Sequence, residues 1–279
     1  RLIGGVFHGS YFDIRLLGAV YLVLLLAATW LLVKTHARGS YVIGLLLGGS
    51  LLFVFYDISY LAYFNSLFGE PVSMVFMLLT FALGLRLTSQ EKPSVKGLIL
   101  FFIAVLFLTS SKIQNAPIGI AFALIFIRFA VLKGQGSWKK LSIWFAVAIF
   151  SISVVLYATA PKDLKHINLY QTVFFGILNE SPDVRGDLKQ LGLPERLEVL
   201  AGTNFFQPDT AIKQNDPSLG PDFYDRVSHK DVLFFYIKNP SRLIHNMKYA
   251  AANSMSIRPY YLGNYEKEEG NPKGALSYT

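Results

Sequence analysis

Apolar and polar residues alternate in long blocks over the first 160 positions of the chain. Six apolar runs cover residues 16–33, 41–56, 71–87, 97–110, 116–132 and 141–159. A helix needs about 20 mostly apolar residues to cross the hydrocarbon of a bilayer, and a shorter run can cross when its polar ends reach the interface. The pattern therefore predicts a transmembrane bundle of about six helices within residues 1–160.

The pattern changes after residue 160. The loop-forming sequences NESPD, NDPSLGPD and EKEEGNPKG surround short amphipathic stretches at residues 231–238 and 241–253. Between these two stretches, Asn239-Pro240 forms a break and Ser241 is a candidate N-cap. We expect residues 161–279 to form a mostly α, partly irregular extracytoplasmic domain.

Composition agrees with a membrane protein. The chain of 279 residues is 53% apolar and only 16% charged, with a mean hydropathy of +0.42. It has no cysteine, which excludes disulfides, thiolate metal sites and thiol catalysis. The first residue is an arginine and the last three are Ser-Tyr-Thr, so we expect the chain to be an internal piece of a longer protein.

The positive charge predicts the orientation of the bundle. The net charge of +8 lies entirely in residues 1–160, which hold 12 basic and four acidic residues. Nine of these 12 basic residues fall at one end of the six-span bundle, and that end is expected to be cytoplasmic. Asp57 and Glu70 then face outward, the C-terminal region is extracytoplasmic, and the charge indicates membrane topology rather than nucleic-acid binding.

The segment DISYLAYFNSLFGEP, residues 57–71, joins the second and third apolar runs. Ionisable groups near the hydrocarbon are costly and are functional candidates for that reason. Asp57 and Glu70 are therefore candidate catalytic residues, and the candidate substrate contacts are Tyr63, Phe64, Asn65 and Phe68. The alternative is that the two acids lie in the wet headgroup zone and that the aromatic residues form an interfacial belt.

The loop TSSKIQNAP, residues 109–117, carries Lys112, a lysine predicted to lie on the outward side. An ammonium with nearby amides at the depth of lipid headgroups suits a phosphate or pyrophosphate, because charge-assisted hydrogen bonds to phosphate are strong. Lys112 and Gln114 are therefore candidate phosphate-binding residues. The alternative is a lysine that extends to the interface and contacts lipids nonspecifically.

Several motifs together resemble the GT-C superfamily, membrane glycosyltransferases that use polyprenyl-phosphate sugars. FDIRLLG, YFNSLFGEP, SSKIQNAP, YQTVFFGILNESPD, LGLPERLEVLAGTNFFQ and YIKNPSRLIHNMKYAA look like segments of bacterial hexose transferases of surface-layer and cell-wall glycan biosynthesis. The resemblance implies a GT-C bundle, a lipid-linked sugar donor and an inverting transfer at the outer face. The partners it implies are a polyprenyl-phosphate sugar, a glycan or lipid-linked acceptor, and membrane lipids.

The resemblance also predicts where the acids belong. FDIRLLG resembles the segment that leads into the third helix of such enzymes, so the loop that usually holds their main catalytic acid would precede Arg1. Asp57 and Glu70 would then match a second acidic element that helps to place the donor phosphate, in some members through a divalent metal such as Mg or Mn. No cofactor is otherwise expected.

The expected chemistry assigns roles to these residues. Displacing a polyprenyl phosphate from a sugar requires a group that stabilises the leaving oxygen, for which we select Lys112 assisted by Gln114. It also requires a carboxylate that orients and deprotonates the acceptor hydroxyl, for which we select Asp57 or an acid upstream of Arg1. A transporter or flippase for lipid-linked glycans and a noncatalytic scaffold subunit are the alternatives.

Overall fold

The computed structural model describes residues 13–37, 40–132, 135–253 and 270–272, in which the regular elements are helices and there is no strand. The chain divides into two compact units, Arg1–Thr159 and Ala160–Thr279, which we call the membrane unit and the C-terminal unit. The division lies next to position 160, where the sequence pattern changes.

The described part of the membrane unit contains six long apolar helices and one short helix. Four of the long helices have the length and composition to cross a bilayer, namely α1, α4, α7 and α6 together with the turn before it. The other two, α2 and α5, have 15 and 16 residues. The helices are α1 (Ile14–His36), α2 (Tyr41–Phe55), α3 (Ile58–Ala62), α4 (Gly69–Ser89), α5 (Val95–Ser110), α6 (Ala116–Leu132) and α7 (Gly136–Ala158). The prediction of an α-helical membrane bundle is confirmed.

Helix starts follow local side-chain chemistry. The Asp13 carboxylate accepts a hydrogen bond from the Arg15 amide, and the Ser40 and Ser94 hydroxyls cap α2 and α5 in the same way. Helix α4 begins at Gly69, two residues before the predicted start, because proline at position 71 lies in the first turn, where its missing N–H costs nothing. Glu70 is therefore a helical residue.

Two apolar clusters hold the membrane unit together. One joins α1 to α4 through residues that include Tyr21, Leu25 and Val75. The other joins α5, α6 and α7 around Phe101 and Phe126. Large apolar side chains also cover the helix faces that point away from the interior of the unit. In water such a surface would be unfavourable, whereas in a bilayer it contacts lipid tails.

The C-terminal unit folds around one apolar core that contains Tyr170, Phe174 and Phe223 at its centre. The core also holds two π-helical segments, Gln171–Ile177 and Gly220–Tyr224, and a 3-10 segment, Glu195–Leu200. Its α-helices are α8 (Lys162–Tyr170), α9 (Val184–Gln190), α10 (His229–Lys238) and α11 (Pro240–Asn253).

The start of α11 differs from the prediction. The helix begins at Pro240, so Ser241 lies inside it and cannot be its N-cap. The amides of Arg242 and Leu243 donate to the carbonyl oxygen of Asn239, which precedes the helix. Proline is favoured at the first helical position because its backbone angle is already helical and the N–H it lacks would have no helical partner there.

Candidate functional site

Glu70 and Lys112 lie together at one end of the membrane unit and make that end polar. Glu70 lies in the first turn of α4, and Lys112 lies between the end of α5 and the 3-10 turn Ile113–Asn115. The Lys112 ammonium donates to Glu70 Oε1 over 2.5 Å. The side chains of Lys112 and Glu70 are 34% and 47% exposed, so both charged groups remain accessible to a ligand.

A glycine allows this contact. A β-carbon on Gly69 would overlap the carbonyl oxygen of Ser111 and would lie 2.7 Å from Lys112 Cγ. Only a residue without a side chain lets the start of α4 approach the Ser111–Lys112 backbone so closely. The glycine of the FGEP sequence therefore helps to determine where Lys112 lies.

Three polar side chains beside the ion pair form a closed hydrogen-bond network. The Ser111 hydroxyl donates to the Leu108 carbonyl over 2.7 Å, so Ser73 must donate in the 2.8 Å contact between the Ser73 and Ser111 hydroxyls. Asn115 Nδ2 donates to both hydroxyl oxygens over 2.9 Å. The network fixes the first turn of α4 against the end of α5 and the turn that follows it.

The predicted phosphate-binding residues therefore lie on a short, well-supported turn. Lys112 precedes the turn, Gln114 is exposed within it, and Asn115 connects it to Ser73. Sequence analysis assigned no role to Ser73, although it follows Glu70 by three positions. That spacing places two side chains on one face of a helix and is the signal that could have identified it.

Asp57 lies at the other end of the connection between α2 and α4. Its carbonyl oxygen accepts hydrogen bonds from the amides of Tyr60 and Leu61, which begins α3, and its side chain is exposed. The connection between α2 and α4 is therefore partly helical. The structure brings Glu70 and Lys112 into direct contact, and the role predicted for Asp57 stays a prediction.

The predicted substrate contacts have different environments. Phe64 is 3% exposed and packs edge-on against Tyr21, with ring centroids 5.7 Å apart, which favours a role in the core. Asn65 is exposed, and its Oδ1 lies 2.5 Å from the position that a β-carbon on Gly18 would take. Phe68 is exposed and has Tyr63 beside it at a centroid distance of 6.3 Å. Of these four residues, Tyr63, Asn65 and Phe68 keep surface that a ligand could contact.

The described residues around Glu70 do not form a divalent-metal site by themselves. Within the ranges that the structure describes, no group of three or more His, Asp or Glu side chains could hold a metal ion. The Glu70 carboxylate also accepts a hydrogen bond from the Lys112 ammonium, and the positive charge of this ammonium would repel a cation at the same oxygens.

The C-terminal unit contains a second polar network, which the sequence analysis missed. Arg242 of α11 donates to the Ile177 carbonyl over 2.6 Å and to Asp187 Oδ2 over 2.8 Å. Ser181 donates to the same Asp187 oxygen. Burial also raises the pKa of Tyr224 in this unit to about 12. No pattern in the sequence predicts this network, because its members come from distant segments.

Together, the apolar helices and the polar end define a polytopic membrane protein with an accessible charged site. The chain belongs to the family described as the YfdI N-terminal transmembrane domain, whose model matches residues 2–279. A multi-pass membrane protein is thereby confirmed. Comparison with curated proteins found no match, and comparison with solved structures found none either.

Proposed function

We propose that this chain is part of a membrane glycosyltransferase that moves a hexose from a polyprenyl-phosphate donor to a cell-surface glycan or lipid-linked acceptor. The observation that carries the proposal is the accessible Glu70–Lys112 pair at the polar end of an apolar bundle. The GT-C resemblance supports it, because the motifs FGEP and SSKIQNAP hold both residues.

The ion pair suggests an exchange of partners. A donor phosphate that enters the site would attract the Lys112 ammonium, because phosphate oxygens carry negative charge and accept charge-assisted hydrogen bonds. Lys112 would then stabilise the charge that develops on the leaving oxygen. Release from Lys112 would leave the Glu70 carboxylate available to bind the hydroxyl of the acceptor.

The bonds and protons of the transfer balance without a further reactant. The acceptor oxygen bonds to the anomeric carbon, and the bond from that carbon to the phosphate oxygen breaks. The electron pair of the broken bond leaves with polyprenyl phosphate. The proton of the acceptor passes to a carboxylate, for which Asp57 or an upstream acid is the candidate.

The distribution of charge supports a reaction at the outer face. Short connections and lateral packing make α4 antiparallel to α5, so Glu70 and Lys112 share one end of the bundle. Arg86 at the end of α4 and Lys96 at the start of α5 share the opposite end. Because cytoplasmic ends collect basic residues, the end with the ion pair is proposed to face outward.

The transporter alternative has less support. The buried polar side chains of the described membrane helices are the hydroxyls of Thr80, Thr109, Ser142 and Ser153, and none is charged. A path for a charged lipid-linked glycan would require ionisable groups along the interior. A noncatalytic scaffold would need neither such a path nor the accessible pair.

The test is a transfer assay with the purified full-length protein and polyprenyl-phosphate hexoses as donors. We expect Lys112→Ala and Glu70→Gln each to reduce transfer at least tenfold, which corresponds to about 1.4 kcal/mol. Lys112→Arg should be more active than Lys112→Ala but less active than the wild type, because a planar guanidinium and a compact ammonium fit different sites.

Lys92→Ala is the matched control, because Lys92 is an exposed lysine in the connection between α4 and α5. Its activity should equal that of the wild type. Full activity of the Lys112 and Glu70 variants would refute the assigned site. A wild-type protein that transfers none of the donors while still binding them would favour the scaffold.

A further inference from the structure

Helix α11 has polar side chains on the face that packs on the C-terminal unit and apolar side chains on the opposite face. Its inward face is polar: Arg242 donates to Ile177 and Asp187, and Asn246 donates to the Gly176 carbonyl and the Tyr236 hydroxyl. Its outward face is apolar and carries Leu243, Ile244 and Met247, all exposed. A helix on the surface of a soluble domain places its apolar residues inward. The outward face of α11 is therefore suited to an apolar environment.

Helix α10 also exposes an apolar stripe. Val232 and Phe235 face the core of the C-terminal unit and are buried. Leu233, Phe234 and Ile237, which share the opposite face at helical spacing, are exposed, and Ile237 reaches 62%. Two consecutive helices thus leave large apolar side chains uncovered within the described part of this unit.

Positive charge accompanies these apolar faces. Lys230, Lys238 and Lys248 are exposed on α10 and α11. Asp231 is the acidic residue of these two helices, and it is held by the Ser228 amide and hydroxyl at the start of α10. Apolar residues with lysines beside them are typical of helices that lie in a membrane interface, where the lysines contact lipid phosphates.

We propose that the outward faces of α10 and α11 bind the lipid interface of the membrane in which the protein resides. Leu233, Phe234, Ile237 and Met247 enter the boundary between headgroups and acyl chains, and the lysines contact anionic phosphates. Every copy of the protein resides in a bilayer, because the same chain forms a membrane bundle. A protein partner would explain the apolar faces but not the lysines beside them.

The chain has no cysteine, so a single introduced cysteine allows a direct test in proteoliposomes of anionic lipids that contain the full-length protein with any cysteine outside this chain replaced by serine. Ile237→Cys is labelled with a small fluorophore and exposed separately to a spin-labelled lipid and to aqueous iodide. Val199→Cys is the control, because Val199 is an exposed apolar residue of the same unit, at 55%, outside α10 and α11. We expect lipid quenching at position 237 to exceed that at position 199 by at least about twofold, and iodide quenching to show the reverse.

Two other results would overturn the proposal. If the label at position 237 is as accessible to iodide as the label at position 199, the face lies in water. If both quenchers fail at position 237, another protein surface covers it.

Charge provides a second arm of the test. Lys230→Gln combined with Lys238→Gln should lower lipid quenching at position 237 in vesicles with anionic lipid and should have little effect in zwitterionic vesicles. Equal quenching in both kinds of vesicle, with or without the lysines, would remove the role of the lysines and contradict the proposal. The readout needs no sugar donor, so it is independent of the proposed transferase activity.

Discussion

Two ion pairs, one from each unit of the chain, differ in burial. In the C-terminal unit, the side chains of Arg242 and Asp187 are 14% and 15% exposed, and both make further hydrogen bonds. In the membrane unit, Lys112 and Glu70 are 34% and 47% exposed. A buried pair that is held by further hydrogen bonds has little room for a ligand, whereas an exposed pair can exchange its partner.

This difference assigns separate roles to the two pairs. Removing one member of a buried pair leaves an uncompensated charge in a medium of low polarity, which is strongly destabilising. Removing one member of an exposed pair costs little, because water solvates the remaining charge. We therefore expect changes at Arg242 and Asp187 to affect folding, and changes at Lys112 and Glu70 to affect binding and transfer.

The largest expected effect is on the stability of the C-terminal unit. Asp187→Ala should lower its free energy of unfolding by about 3–5 kcal/mol, because Arg242 and Ser181 lose their shared partner. Hydrogen exchange of peptides from α9 and α11, measured on the full-length protein, reports this loss.

The control is an exposed pair in the same unit. Arg185 and Glu198 are 67% and 41% exposed, and Glu198→Ala should cost far less stability than Asp187→Ala, because water solvates both groups. Replacing both buried partners, with Arg242→Met and Asp187→Leu together, should be less harmful than Asp187→Ala alone. Equal losses in Asp187→Ala and Glu198→Ala would show that burial does not distinguish the two pairs.

The second prediction concerns the close approach in the membrane unit. Gly69→Ala should displace the Ser111–Lys112 backbone from the start of α4, at a cost of about 1–3 kcal/mol, because the new methyl group overlaps backbone. Transfer by the full-length protein should decrease at least about tenfold.

Gly49→Ala in α2 is the matched control, since a β-carbon there meets nothing within 4 Å. It should leave both transfer and thermal stability unchanged or slightly improved, because alanine favours a helix more than glycine does. If Gly69→Ala transfers sugar at the wild-type rate, the geometry of the Glu70–Lys112 contact does not matter for activity.

The smallest expected effect depends on pH in the C-terminal unit. Burial, together with the positive charge of Lys165, lowers the pKa of His229 below its usual value of 6.5. As pH falls below about 6.5, the unfolded chain binds a proton that the folded unit binds less readily, so the stability of the unit decreases.

Protection factors of the α10 amides, which are hydrogen-exchange rates corrected for the intrinsic effect of pH, should be lower at pH 5.5 than at pH 7.5, both pH values being about one unit from 6.5. His229→Gln should lose this part of the pH dependence, because glutamine does not titrate. An unchanged pH profile in the variant would contradict the assignment to His229.

Much of the membrane fold follows from composition alone. A membrane span consists of many consecutive apolar residues, so a few polar residues within it do not hide the pattern that predicts it. All six predicted apolar runs correspond to helices in the structure. Helix starts were less accurate, because first turns are rich in polar residues: α4 begins at Gly69 and α7 at Gly136, where the predicted runs began at 71 and 141.

Side-chain contacts were harder to predict. Arg242 and Asp187 are separated by 55 positions, so their contact depends on how the whole unit folds. Glu70 and Lys112 are 42 positions apart, yet span topology alone placed both at one end of the bundle. Phe64 illustrates the limit, because an aromatic residue near an interface can face either the core or a ligand, and here its ring packs on Tyr21.

The shortness of α5 has a consequence for the lipids around the protein. With 16 residues, the helix is roughly 24 Å long, whereas the hydrocarbon of a bilayer is about 30 Å thick. Such a mismatch is relieved when the surrounding bilayer thins. Thinning beside α5 would bring the phosphate plane of one leaflet toward the end of the helix, where Lys112 lies. The protein would then thin the bilayer around itself. The phosphate of a membrane-anchored substrate would lie closer to the Lys112 ammonium as a result.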